Sequence, residues 1–483
     1  MTTTQRASVD VLFRPRSIAV VGVSGQAKGG FSGVGLGFLV ALKEFGFEPL
    51  YPVNPKYDEI EGLRCYASVK DIEGPVDHVI SSVPATAVAG LVEDCIAKRV
   101  RSLHFFTAGF SETGDKEMVQ MEATVVARAR AGGLRVLGPN CMGLYVPGSR
   151  ISFQEEFPKE HGNFGFISQS GGNAVEMVMT GRGRGIRFSK LISYGNAVDI
   201  AESELLEALA ADPQTEIIGL YVEGVRDGHR FVRALKSAAA AKPVVVLKGG
   251  RTASGTRAVM SHTASLAGSA EVFDAVCRQA GAVRVNSVEE LTDLAVAFRF
   301  MGVPAGPGAA LITPGGGMSV FAADQIDEAG LSCPLLPEET QAALREFNPA
   351  AGTSLRNPVD TMALFEPGGA EKSLRIVGSA SNVDVVLVNA SMGWGSARRA
   401  TGPGAGIDPD QYREAFVQQL VKAREAISKP VAVVSGQPMD VPGMERTLLF
   451  RDSCWAAGLP VFTSIPNAAR AIAKVLHWQT MRK

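Results

Sequence analysis

Short β-branched runs alternating with helix-period stretches constrain this chain more than any other feature. The runs are Ser17–Gly22, His78–Val83, Ser102–Thr107, Gly165–Ile167, Ile217–Val222, Pro243–Leu247, Ala309–Ile312, Val383–Val388 and Pro430–Val434. Most are almost continuously apolar, the pattern of parallel strands buried on both faces. Amphipathic stretches such as 87–98, 202–211 and 410–427 lie between them. Strand, turn and helix in alternation predict an α/β protein built on parallel sheets. Glycine-rich turns near the head of each third, and the Gly302–Gly308 linker, divide the 483 residues into 1–145, 146–304 and 305–483.

Composition narrows the function classes. Lys+Arg (48) nearly balance Asp+Glu (49), which argues against nucleic acid or an anionic membrane as a partner gripped by bulk charge. The six cysteines form no C-x-x-C pair, so no local metal site is encoded and buried, reduced thiols are expected. The start of the chain lacks the apolar core of a signal peptide, and no run is long enough to span a bilayer, so a cytoplasmic location is expected.

Four places carry residues suited to chemistry. The first is Gly22-Val-Ser24-Gly25 after a predicted strand, followed by a second strand ending Asn54-Pro55-Lys56. A glycine turn opening a helix can cradle a phosphate. The spacing is not the dinucleotide fingerprint, and a lysine where an acid would hold a ribose suits a phosphate, as on CoA or NADP. A tight βα turn with no ligand explains the same glycines. The second is Ser168-Gln-Ser170-Gly171-Gly172, where early helix N–H groups can face an anion or Ser170 can simply cap the helix. The third is His262 in a small, glycine-flanked segment, with Glu223 following a predicted strand. A carboxylate on one ring nitrogen would leave the other nucleophilic, although a lone histidine is more often structural. The fourth is the Gly315-Gly316-Gly317 turn, a second helix N-terminus able to favour an anion.

The ordered strings Gly22–Gly25, Val53–Lys56, Ser81–Pro84, Ala108–Glu112, Gly138–Gly143, Ser168–Gly172, Ser193–Asn196 and Ser261–Gly268 resemble the acyl-CoA synthetases that form a nucleoside diphosphate, relatives of succinyl-CoA synthetase. The likeness spans essentially the whole chain and is strongest to the α subunit of the ADP-forming acetyl-CoA type. It implies a Rossmann-like CoA-binding domain followed by two flavodoxin-like ligase domains. It also implies a relay from acyl-CoA and inorganic phosphate, through acyl phosphate and phosphorylated His262, to ADP. Glu223 would orient the histidine. Gly22, Ser24, Gly25, Asn54, Lys56, Val83, Pro84 and Asn140 would hold CoA. Ser170, Gly171, Gly315, Gly316 and Gly317 would hold phosphate, and Gly195 and Asn196 would lie beside the acyl group.

Nothing after residue 305 reads as an ATP-grasp domain, and no Walker-type motif appears. The likeness therefore implies that the nucleotide site is absent or, as the expected arrangement, comes from a separate ATP-grasp β subunit binding Mg-ADP or Mg-ATP. Ala264 stands where the family more often has glycine, and the 393–404 segment has the composition of a lid or a plain surface loop. An NADP-dependent oxidoreductase and a non-catalytic CoA-sensing protein of the same fold are the alternatives. The acid that is activated is not legible.

Overall fold

A computed structural model describes residues 9–24, 33–263, 269–348, 353–391, 408–438 and 440–482, without the side chains of 261–263. Two compact units result, one of residues 1–182 and 186–291, the other of 183–185 and 292–483.

The first unit holds two sheets. Its N-terminal sheet comprises β1 (Ile18–Val21), β2 (Leu50–Val53), β5 (His78–Ser81), β6 (Ser102–Phe105) and β7 (Arg135–Leu137), with a small hairpin of β3 (Glu59–Ile60) and β4 (Leu63–Arg64). The order is β2-β1-β5-β6-β7 and all neighbours are parallel. Val79, Leu103 and Val136 are fully buried in one cluster with Val88, Val92 and Cys95 of the helix Ala85–Ala97, which is why that face of the sheet is apolar.

The second sheet comprises β8 (Gly143–Tyr145), β9 (Phe164–Ser168), β10 (Phe188–Ser193), β11 (Ile217–Val222), β12 (Val244–Lys248) and β13 (Val283–Val285). Its order is β13-β12-β11-β9-β10-β8, parallel except for the edge strand β8.

The other unit has one sheet of β14 (Ala309–Thr313), β15 (Ser354–Leu355), β16 (Val359–Asp360), β17 (Val385–Asn389), β18 (Val431–Val434) and β19 (Val461–Phe462). Its order is β15-β16-β14-β17-β18-β19, antiparallel only at β15. Its core sets Val386 and Val388 against Leu374, Phe416 and Phe450.

Leaving out hairpin and antiparallel edge strands, each sheet has the doubly wound order 2-1-3-4-5. Each therefore has one topological switch point, where the loops leaving two neighbouring strands diverge and open a crevice. The three switch points lie between β1 and β5, β9 and β11, and β14 and β17. All six cysteines are free thiols and five are buried. No helix among the described residues is long and apolar enough to cross a membrane.

Candidate active site

The first switch point collects the residues expected to hold CoA. Gly22 follows β1 with φ +89°, a backbone state that glycine adopts without penalty, and its N–H donates to Val53 O at 3.0 Å. A Cβ on Gly22 would sit 3.0 Å from Ser82 Oγ and 3.1 Å from Ser82 C, so the cradle between β1 and β5 exists only without a side chain there. Asn54 is fixed in the neighbouring turn, its Nδ2 donating to Val23 O at 2.6 Å and its Oδ1 accepting from Lys56 N–H at 3.0 Å. Lys56 is exposed beside it. Ser24 Oγ lies 3.5 Å from the Tyr57 hydroxyl. Thr107 Oγ1 donates to Val83 O at 2.6 Å, and Pro84 opens the helix Ala85–Ala97. Asn140, at φ +58°, is tied to the same edge by its N–H on Thr107 O. A side-chain-free cradle with a lysine at its mouth suits a ligand carrying phosphates and an extended arm. Gly25 lies outside the described residues.

The second switch point assembles a tighter set. Register aligns Ser168 with Ser193 and Tyr221, and Val222 with Lys248, so four strands end together. Ser170 Oγ accepts from Asn173 N–H at 3.3 Å, capping the helix Gly171–Arg182, whose first turn carries Gly171 and Gly172. The capping role does not compete with anion binding, because the first N–H groups of a helix have no partner within it.

Glu223 follows β11 and is only 6% exposed. Its N–H donates to Gln169 Oε1 at 2.7 Å, its carbonyl accepts from Lys248 Nζ at 2.7 Å, and its Oε1 accepts from the Tyr221 hydroxyl at 3.0 Å. Glu223 Oε2 is buried and has no hydrogen-bond partner among the described residues. Burial holds the Lys248 ammonium below its ordinary range, against the attraction of Glu223. Burial first, and then the adjacent Glu223, push the Tyr221 phenol up, so it stays a donor at neutral pH. His262 lies in the last turn of the helix Ala253–Thr263, its side chain outside the described residues. That helix is capped by Thr252, whose Oγ1 accepts from Gly255 N–H at 3.1 Å, and it lies against the turn Ser111–Thr113.

The same turn meets the loop after β10. Asn196 Nδ2 donates to Glu112 Oε2 at 2.6 Å and Glu122 Oε2 at 3.3 Å, while Asn196 Oδ1 is buried without a partner among the described residues. Gly195 and Asn196 thus sit beside Asn140, with Asn196 N–H on Pro139 O at 3.0 Å.

At the third switch point, in the other unit, Gly316 opens the helix Gly316–Glu328. The Gly315 N–H is already engaged by Asp360 Oδ1 at 2.6 Å, leaving Gly316 and Gly317 as the turn's open donors. Asp360 lies outside the strings read from the sequence as candidate sites, while Gln169, Asn173, Lys248 and Tyr221 lie within or beside them and carry no role there. Tyr221 had a readable signal, since a residue two before Glu223 on a strand shares its face.

Comparison with known proteins finds two domain models that match this chain. A CoA-binding domain model matches residues 16–147, and a succinyl-CoA ligase-like flavodoxin domain model matches 161–298. The α subunit of ADP-forming acetate–CoA ligase II from Pyrococcus furiosus is 35% identical over 423 residues, covering 88% of this chain and 89% of that one. ADP-forming acetate–CoA ligase I from Archaeoglobus fulgidus is 39% identical over 382 residues, and the match covers 78% of this chain but 54% of that protein. Among solved structures, the dinucleotide-forming acetyl-coenzyme A synthetase 1 of Candidatus Korarchaeum cryptofilum, in complex with phosphate and ADP, superposes with a TM-score of 0.82 at 29% identity, covering 98% of this chain and 97% of that one. These relatives are ligases, and nothing in them favours an oxidoreductase. With a CoA-binding sheet, a ligase sheet and a relative matched over nearly nine-tenths of both chains, this chain belongs to the family of ADP-forming acyl-CoA ligases.

Proposed function

We propose that this chain is the CoA-binding, phosphohistidine-carrying subunit of an ADP-forming acyl-CoA synthetase. The observation that carries this reading is Glu223, a carboxylate almost wholly buried with one oxygen bonded and the other left as an open acceptor. An unpaired buried acceptor is costly, and an imidazole N–H satisfies it while turning the opposite ring nitrogen into a nucleophile.

In this reading inorganic phosphate attacks the thioester carbonyl of acyl-CoA, giving acyl phosphate and free CoA. The ring nitrogen of His262 then attacks phosphorus, the carboxylate leaves, and Glu223 stabilises the positive charge of the phosphorylated ring. The phosphoryl group passes to ADP on an ATP-grasp β subunit, with Mg2+ supplied there. Gly22, Ser24, Gly25, Asn54, Lys56, Val83, Pro84 and Asn140 hold CoA. Ser170, Gly171 and the Gly315–Gly317 turn hold phosphate, the turn through the N–H groups of Gly316 and Gly317, and Gly195 and Asn196 flank the acyl group. Such transfers ask a protein mainly for position and charge stabilisation. The reading also takes 1–145, 146–304 and 305–483 as the functional domains and places the enzyme in the cytoplasm.

The test is to incubate the full chain with an acyl-CoA panel and radiolabelled phosphate. An acid-labile, base-stable label, released thiol, and loss of the label in His262→Asn are expected. A chain that releases thiol with no such label on any acyl-CoA would exclude the relay.

A further inference from the structure

Glu223 is fixed at its backbone, but that leaves its carboxyl group free to rotate. Gln169 Oε1 accepts from the N–H groups of Glu223 (2.7 Å) and Gly224 (3.1 Å), and Lys248 Nζ donates to the Glu223 carbonyl. None of these touches the carboxylate. The only side chain among the described residues that hydrogen-bonds it is Tyr221, at 3.0 Å on Oε1. Tyr221 pairs in register with Ser168, the last residue of β9, which leads into the helix Gly171–Arg182. Space for the arrangement is kept by Gly249, where a Cβ would come within 2.7 Å of the Tyr221 hydroxyl and 3.2 Å of Glu223 Cγ.

We propose that Tyr221 is a positioning residue for the phosphoryl relay: its hydroxyl holds Oε1 of the Glu223 carboxylate and so reserves Oε2 as the single open acceptor. This rests on the relay reading above. The direction of donation follows from the chemistry of each group. The carboxylate accepts, so the Tyr221 hydrogen goes to Glu223. Tyr221 touches no reacting atom and acts through Glu223.

The test compares the full wild-type chain with Tyr221→Phe and Gly249→Ala. Acetyl-CoA and radiolabelled inorganic phosphate are the probes, and the initial rate of acid-labile labelling is followed as phosphate is varied. Tyr221→Phe is expected to lower the saturating rate roughly tenfold, the effect of removing one hydrogen bond to a charged group, with half-saturation in phosphate within about twofold of wild type. Gly249→Ala, whose Cβ would come within 2.7 Å of the Tyr221 hydroxyl, is expected to lower the rate severalfold by displacing that hydroxyl. A purely structural role would lower the melting temperature and leave the saturating rate unchanged. Labelling by Tyr221→Phe at the wild-type rate would overturn the proposal while leaving the relay standing. Should Tyr221→Phe fail to fold, Gly249→Ala decides alone: a severalfold slower saturating rate supports the positioning role and an unchanged one overturns it. A wild-type chain that never labels removes the relay itself.

Discussion

Glu202 shows what one buried charge does to this protein. It is 2% exposed, and burial raises its carboxyl above the ordinary range despite a hydrogen bond from Ser203 Oγ at 3.2 Å and the fields of Arg226 and Arg230. The sign follows from proton counting. A folded state that keeps a proton the unfolded chain releases is favoured at low pH, so stability falls as pH rises from the unfolded value, about 4.3, towards the raised folded one. Glu202→Gln keeps the shape and removes the charge. It is expected to melt higher than wild type at about pH 7.5 and to show little difference near pH 3.5, where the acid is mostly protonated in either state. Thermal unfolding at the two pH values checks this, and an equal gain at both would show that the charge is not responsible. Tyr194 lies near this acid, its hydroxyl fully buried without a partner among the described residues and its phenol pushed up first by burial and then by Glu202, Glu223 and Tyr221.

Among the elements, the strands legible from the sequence are those whose buried residues form an almost continuous apolar run, such as β11, β12 and β17. Strand β10 escaped because Phe188-Ser-Lys-Leu-Ile-Ser193 interrupts its apolar residues with Ser189 and Lys190. Both are buried and both are satisfied by residues far along the chain: Lys190 Nζ reaches Asp212 Oδ2 at 2.5 Å, and Ser189 Oγ meets Thr215 Oγ1 at 2.7 Å. No local pattern announces a partner more than twenty residues away. The same limit applied to the site. Glycine turns after strands were readable, whereas the bond from the Gly315 N–H to Asp360 and those from the Glu223 and Gly224 N–H groups to Gln169 depend on which strands neighbour one another. Gly195 is a further case, prompted by family likeness alone. It has φ +56°, and a Cβ there would fall 2.1 Å from Pro139 O and 2.5 Å from Asn140 O. Gly195→Ala must move a backbone carbonyl of the neighbouring loop and is expected to cost about 2–4 kcal/mol. Gly228→Ala, with nothing within 4 Å and no positive φ, is the control, expected within ~0.5 kcal/mol of wild type. Denaturant midpoints compare the two, and equal effects would show that the loop contact yields freely.

At the scale of the whole molecule, the repeated strand order explains why so many candidate residues gather at sheet edges, since each sheet offers one crevice and the glycine turns fall in them. In the first unit, the two sheets are joined by charge. Arg135, on β7 of the N-terminal sheet, donates to Asp199 Oδ2 at 2.9 Å and to Glu204 at 3.0 Å, both beyond β10 of the second sheet. Val136 N–H donates to the same Asp199 oxygen at 3.0 Å, and Arg130 adds a contact at 3.2 Å. Burial alone would raise the Asp199 carboxyl, but the Val136 N–H, Arg135 and Arg130 together hold it below the usual carboxylate range. An acid so depressed adds stability above its unfolded value, about 3.9, and loses that contribution as pH falls through the folded one. Arg135→Ala leaves Asp199 and part of Glu204 buried without their main counter-charge and is expected to cost about 3–5 kcal/mol at neutral pH. Without the arginine, Asp199 escapes its cost by taking up a proton, so the deficit relative to wild type should shrink on acidification towards about pH 4.5. Because the bridge lies in the same contact as Pro139, Asn140 and Asn196, the variant should also weaken CoA retention more than its stability loss at the assay temperature predicts. Urea unfolding at the two pH values measures the deficit, and one that is below ~1 kcal/mol or independent of pH would show that the guanidinium does not hold these two sheets together.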